Sequence, residues 1–166
     1  MTWTLDVFKV VEFSFPDEAV PTPPALADAT TVRSLLMPEH PNAEPIRQAF
    51  DAFATGDMAT MQSLVAEDTV WHLPGRGPLA GDHYGRNAVF EMFGRLVRAS
   101  EGTFNQSLHD VLASEDHVVA LTYATASRGD HRYDGRDAWV FHLREGQIAE
   151  AWWRPGDLYA ADEFWT

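Results

Sequence analysis

At 166 residues the chain has the length of one domain with a substantial core, and 45% of it is hydrophobic. A formal net charge of −13 speaks against nucleic acid or an anionic membrane as partner, since both call for clustered Lys and Arg. Cysteine is absent, which excludes disulfides, thiolate nucleophiles and thiolate metal sites.

Residues 1–36 differ in character from the rest. "LDVFKVVEFSF" alternates well enough for a strand, with Leu5, Val7, Val11, Phe13 and Phe15 on one parity. "PDEAVPTPPALADATT" then reads as an extended Pro-rich linker. The compact domain is expected from Met37, which is also a candidate initiator. No window has the basic start and apolar stretch of a signal peptide, and none reaches the roughly 18 apolar residues of a membrane span. A cytoplasmic protein is expected.

"NAEPIRQAFDAFATGD" predicts an amphipathic helix with Asn42 as N-cap, Pro45 in the first turn and Gly56 as terminator. Its apolar stripe is Ile46, Ala49, Phe50 and Phe53. Asp57 is placed to cap a shorter second helix with Met58, Met61, Leu64 and Val65 inward. "TVWHL" predicts a strand stopped by Pro74 and Gly75, and "PGRGPLAG" a rigid loop at the rim of a pocket. A third helix is expected from about Asn87 to Arg98, burying Val89, Phe90, Phe93, Leu96 and Val97.

Four antiparallel runs follow, at about 103–113, 117–128, 132–143 and 147–154, joined by "SED", "RGD" and "REG". "GDLYAADEFWT" predicts a short helix starting at Asp157. Three N-terminal helices packed on a curved, mostly antiparallel sheet make an α+β fold, in which a cone with an internal cavity is the natural packing.

The segments "IRQAFDAFATGDM", "VWHLPGRGPLAGDHYGRNAVFEMF", "HVVALTYATA" and "VFHLREGQIAEAWWRPGDLYAADEFW" resemble, in order, the SnoaL-like proteins of the NTF2-like, ketosteroid-isomerase-like superfamily. The resemblance spans Met37 to Thr166. It implies a cone-shaped α+β barrel, usually a homodimer through the outer sheet face, with a pocket between sheet and helices. It also implies that His72 falls where the ketosteroid isomerases keep a catalytic carboxylate. Where they place a Tyr and a protonated acid as oxyanion donors, this chain has Phe50 and Trp139. Steroid isomerisation by that device is therefore not expected. The strand "VVALTYATAS" lacks the Arg and Asp pair of limonene-epoxide hydrolases. Polyketide cyclases of the family are closer, having a His near the end of the first strand and an Asp after the last, here Asp157.

From the residues themselves, His72 is the leading candidate base, an imidazole able to take a proton alpha to a carbonyl near neutral pH. Trp71 alternates with it, so one of the two rings faces inward and the other outward. Asp137 and Trp139 are two apart on one strand and share a face, which makes Asp137 a partner for His72 or a base itself. Tyr84 is a candidate hydroxyl at the rim, and Tyr123 points either way. Phe50, Phe53, Phe93 and Trp139 are candidate pocket walls. Adjacent Trp152 and Trp153 must face opposite sides, one lining the cavity and the other the dimer interface; parity alone leaves open which is which, and Trp153 is the candidate substrate-binding residue. His109 shares parity with Asn105 and Ser107 and reads as exterior. No HxH or HExxH spacing and no Gly-rich phosphate loop occurs, so neither metal nor cofactor is expected. The expected activity is cofactor-independent acid/base chemistry on an apolar carbonyl-bearing or polycyclic metabolite, by His72 with Asp137 or Asp157. The rivals are a non-catalytic binder of a hydrophobic small molecule and a dimerising adaptor.

Overall fold

The computed structural model describes residues 39–166. The chain divides into two units, Met1–Met37 and Pro38–Thr166. The expected N-terminal strand and linker lie outside the described residues.

Helix α1 spans Ala43–Thr55 and buries Ile46, Ala49 and Phe50. Asn42 stands at its N-cap, but its side chain makes no capping bond. The amide instead donates to the carbonyls of Ser114 and Glu115 (3.0 and 3.2 Å), pinning the helix start to a sheet turn. Gly56 ends the helix with φ of 72°, a left-handed conformation that glycine adopts without a Cβ penalty. Helix α2 spans Met58–Leu64, and Asp57 caps it by accepting from the Thr60 N–H at 3.0 Å. Met61 is buried there, whereas Met58, expected inward, is exposed. Val65 is already strand, because the chain turns directly from helix to sheet.

Strand β1 spans Val65–Leu73 and continues into a second strand, β2, at Gly81–Tyr84. The sequence reading contains no β2. Its four residues carry no run of apolar alternation, and it is a strand because Trp71 pairs with His83 and His72 with Asp82. "PGRGPLAG" is thus the connection of a hairpin, not an independent rim, and it sends Leu79 into the interior.

Helix α3 spans Arg86–Ala99 and buries Val89, Met92 and Phe93. Val97, expected inward, is exposed, since Val89 and Phe93 on that face are completed by Met92 rather than by the far edge of the stripe. Strands β3 (Asn105–Ala113), β4 (Val118–Arg128), β5 (His131–Arg144) and β6 (Gln147–Arg154) form the meander. Helix α4 spans Leu158–Trp165.

The fold is α+β. The described residues hold four helices and one six-stranded sheet ordered β2-β1-β6-β5-β4-β3. The sheet is mixed: β1 runs parallel to β6, while every other neighbouring pair is antiparallel. It is open, with β2 and β3 at its edges, so the expected barrel does not close. Strict alternation along β4 and β5 turns Ala120, Thr122, Ala124, Asp137, Trp139 and Phe141 to the inner face. No helix among the described residues is long and apolar enough to cross a membrane.

Candidate functional site

The inner face is not solid. A hollow of about 70 Å³, open at its mouth, lies between sheet and helices. Helices α1 and α3 contribute Phe50, Phe53, Met92 and Phe93; strands β1, β5 and β6 contribute Trp71, Trp139, Phe141 and Trp153; Leu79 and Trp165 complete the walls. The rings pack edge to face, Trp71 against Phe93 at 5.2 Å and against Trp139 at 5.3 Å between centroids. Edge-to-face contact suits rings with a negative face and a positive rim.

Besides the tryptophans, two residues with polar side chains, Gln106 and Asp137, belong to this lining. Asp137 is only 3% exposed. One oxygen accepts from the Trp153 indole N–H at 3.1 Å, the other from the Gly156 backbone N–H at 3.2 Å, and the Tyr133 hydroxyl lies 3.2 Å from both. Burial pushes the Asp137 carboxyl above the usual carboxylate range, against the pull of these three donors. Burial, and after it the neighbouring Asp137, also holds the Tyr133 phenol far above its ordinary value. Proline and glycine at 155–156 let the chain turn close enough for that backbone N–H to reach the carboxylate. Sequence reasoning missed Tyr133 and Gly156 as the holders of Asp137; the i, i+4 parity of Tyr133 and Asp137 on one strand was the available signal.

His72 stands on the opposite face. Trp71 takes the inward parity of β1, so the imidazole turns outward, stacked on Trp152 at 5.2 Å and 14° between planes. Its Nδ1 lies 2.7 Å from Asp82 and its Nε2 2.9 Å from Glu150. Burial lowers the His72 pKa, but the two carboxylates outweigh it and raise the value overall. The expectation of an inward imidazole oriented by Asp137 is therefore corrected: one strand cannot send both neighbours to the same side.

Three further candidates stand away from the hollow. Tyr84 is 69% exposed and donates to Asp82 at 3.2 Å, because edge strand β2 turns it outward. Tyr123 is exposed on the outer face beside His109 and Arg136, its β4 neighbours Thr122 and Ala124 taking the inner parity. Asp157 caps α4, with one oxygen accepting from the Tyr159 and Ala160 N–H groups at 3.0 Å each. Phe50, Phe53, Phe93, Trp71, Trp139, Trp153 and Asp137 are brought together at the hollow. Trp152 is the outward member of its pair, as the stacking on His72 shows. Among the described residues no cluster of His, Asp and Glu is arranged to hold a metal ion.

Comparison with known proteins agrees with this architecture. The SnoaL-like domain model matches residues 46–151. An uncharacterized protein of Mycobacterium tuberculosis is 32% identical over 131 residues, covering 78% of this chain and all of that one. The solved structure of Bal32a, from a soil-derived mobile gene cassette, is 43% identical with a TM-score of 0.73, covering 75% of this chain and 96% of that one. An NTF2-like protein of Burkholderia xenovorans LB400, 20% identical with a TM-score of 0.64, covers 75% of this chain and 95% of that chain and shares the fold. By the family match over residues 46–151 the chain belongs to the SnoaL-like family, and it has an NTF2-like fold.

Proposed function

We propose that the protein is an enzyme of cofactor-independent acid/base type, a cyclase, isomerase or dehydratase, acting on an apolar carbonyl-bearing or polycyclic metabolite. The observation that carries this reading is the Asp137 carboxyl, desolvated at the wall of an otherwise apolar hollow with its pKa pushed upward. A carboxylate in that state is a stronger base than one in water, and its conjugate acid can return the proton in the same closed space. Asp137 thus takes the proton-transfer place that sequence reasoning assigned to His72.

The test begins with the compound that the protein retains when purified from its native host, identified by mass spectrometry. Asp137→Asn is expected to keep affinity for that compound and to lose turnover by about 100-fold or more. In the wild type the rate should climb with pH as the raised Asp137 pKa is passed, since the base is the ionised form. Undiminished turnover in Asp137→Asn would sink the assignment.

One observation favours a second reading, a non-catalytic binder. The three donors on Asp137 tie β5 to β6 and to the turn at Gly156, which is what a structural anchor also does. The binder reading expects the retained compound to be recovered unchanged. A dimerising adaptor with a filled interior is at odds with the hollow itself.

A further inference from the structure

Three indoles stand on the inner face of the sheet, and each carries one N–H that burial obliges to find an acceptor. Trp71 donates to the Thr69 hydroxyl at 3.1 Å. Trp153 donates to Asp137 at 3.1 Å. Trp139 donates to nothing: its Nε1 is fully buried and has no partner among the described residues, while the residue as a whole is 8% exposed and lines the hollow. A buried N–H without an acceptor is destabilising, and such a group in a native fold calls for an explanation.

We infer that the Trp139 indole N–H is the hydrogen-bond donor that receives an acceptor oxygen, a ketone or quinone carbonyl, of a flat apolar ligand in this hollow. The other lining groups restrict the ligand in the same direction. No lysine or arginine lines the space, so a carboxylate or phosphate finds no countercharge. The Gln106 amide nitrogen is engaged with Thr122 at 3.2 Å. Asp137 already accepts from three donors, so the Gln106 amide oxygen is the lining acceptor left for a ligand hydroxyl. Trp139, whose buried N–H has no acceptor among the described residues, stands in this wall among rings. The Trp139 ring lies 11° from the plane of Phe141 at 6.0 Å and 29° from that of Trp153 at 6.4 Å, so the sheet wall presents nearly parallel ring planes.

The chemistry of the bound carbonyl rests on the acid/base reading of Asp137. Positions 137 and 139 point to one face, about 6.6 Å apart along the strand. A carbonyl oxygen held by Trp139 leaves its alpha carbon on the side toward Asp137. The alpha C–H bond breaks, its proton passes to the Asp137 carboxylate, and the electron pair forms the enolate C=C. The charge collects on the oxygen that Trp139 holds, and the same carboxyl can then protonate a carbon of the product. Trp139 thereby selects ligands by their acceptor and stabilises the charge that develops on it.

Two naphthalenes of one shape test the assignment: 2-acetylnaphthalene, which has the acceptor, and 2-isopropylnaphthalene, which lacks it. Wild-type protein is expected to bind the ketone about three- to tenfold more tightly, the yield of one hydrogen bond. In Trp139→Phe the ratio of the two affinities should fall to about one, whatever happens to their absolute values. A measurement needing no variant accompanies it: in 15N-labelled wild-type protein, the Trp139 indole N–H resonance should move downfield with the ketone and stay in place with the hydrocarbon. The same preference in Trp139→Phe, or an indole signal indifferent to the ketone, overturns the inference and leaves the Asp137 reading standing. Failure of both compounds to bind overturns the small-molecule reading and this inference together.

Discussion

On β1, two adjacent rings divide the molecule between them. Trp71 belongs to the hollow and His72 to a charged cluster with Asp82 and Glu150 on the other side of the sheet. The folded-state pKa of His72 is raised above the ordinary 6.5. A raised histidine stabilises the fold fully below that ordinary value and ceases to do so as pH rises through the folded one. His72→Ala should therefore cost most near pH 5.5, by no more than about 1 kcal/mol since the carboxylates are partly solvated, and the pH-dependent part should be gone near pH 8.5. Urea denaturation at the two pH values checks this; a cost that grows toward high pH refutes it. Ligand affinity should be unchanged, because the imidazole does not line the space.

The turn between β6 and α4 shows how an element's end serves a site. Gly156 donates to Asp137, and a Cβ there would lie 2.4 Å from the Arg136 carbonyl oxygen. Gly156→Ala must push the turn away and release the carboxylate, costing about 2–3 kcal/mol in thermal or chemical denaturation. Loss of an ordinary cap, as in Asp157→Ala one residue on, costs about 1 kcal/mol. Equal effects from the two would mean that the close approach at 156 carries no special weight. Elements of this molecule were largely legible before the structure. Ile46, Ala49 and Phe50 repeat at helical spacing, and the turns "SED", "RGD" and "REG" part runs of strand parity. The inward side of β1 was legible as well, since Trp71 and Leu73 are apolar and share a parity that His72 lacks; the reactivity of an imidazole drew attention away from that pattern. β2 was not legible, because four residues with no apolar rhythm become a strand only through a partner. Nor were the holders of Asp137, since Gly156 reaches it from another element.

At the scale of the whole molecule, 25 acidic residues face 12 Lys and Arg in a chain of 166. Such an excess repels itself, and compaction brings the charges closer. Raising sodium chloride from about 0.02 to 0.5 M should raise the melting temperature by a few degrees, as the screening length shrinks from roughly 20 Å to 4 Å. A melting point that falls over that range would mean that specific ion pairs outweigh the net repulsion. The layering of helices on a sheet followed from the pattern of elements, and the family resemblance supplied the pocket's place. The strand order did not follow, because neighbours in the chain predict a meander and say little about where an early strand will dock.

That docking has a consequence for the making of the protein. β1 finds its parallel neighbour some eighty positions later, Trp71 opposite Ala151 and His72 opposite Trp152. A pairing so remote in the chain is slow to form and must wait for its second half to exist. While the ribosome is still working on β5, one whole seam of the sheet is open and the indole of Trp71 has no β6 beside it. The interval before residue 154 emerges is when the nascent chain is most exposed to aggregation and to chaperones.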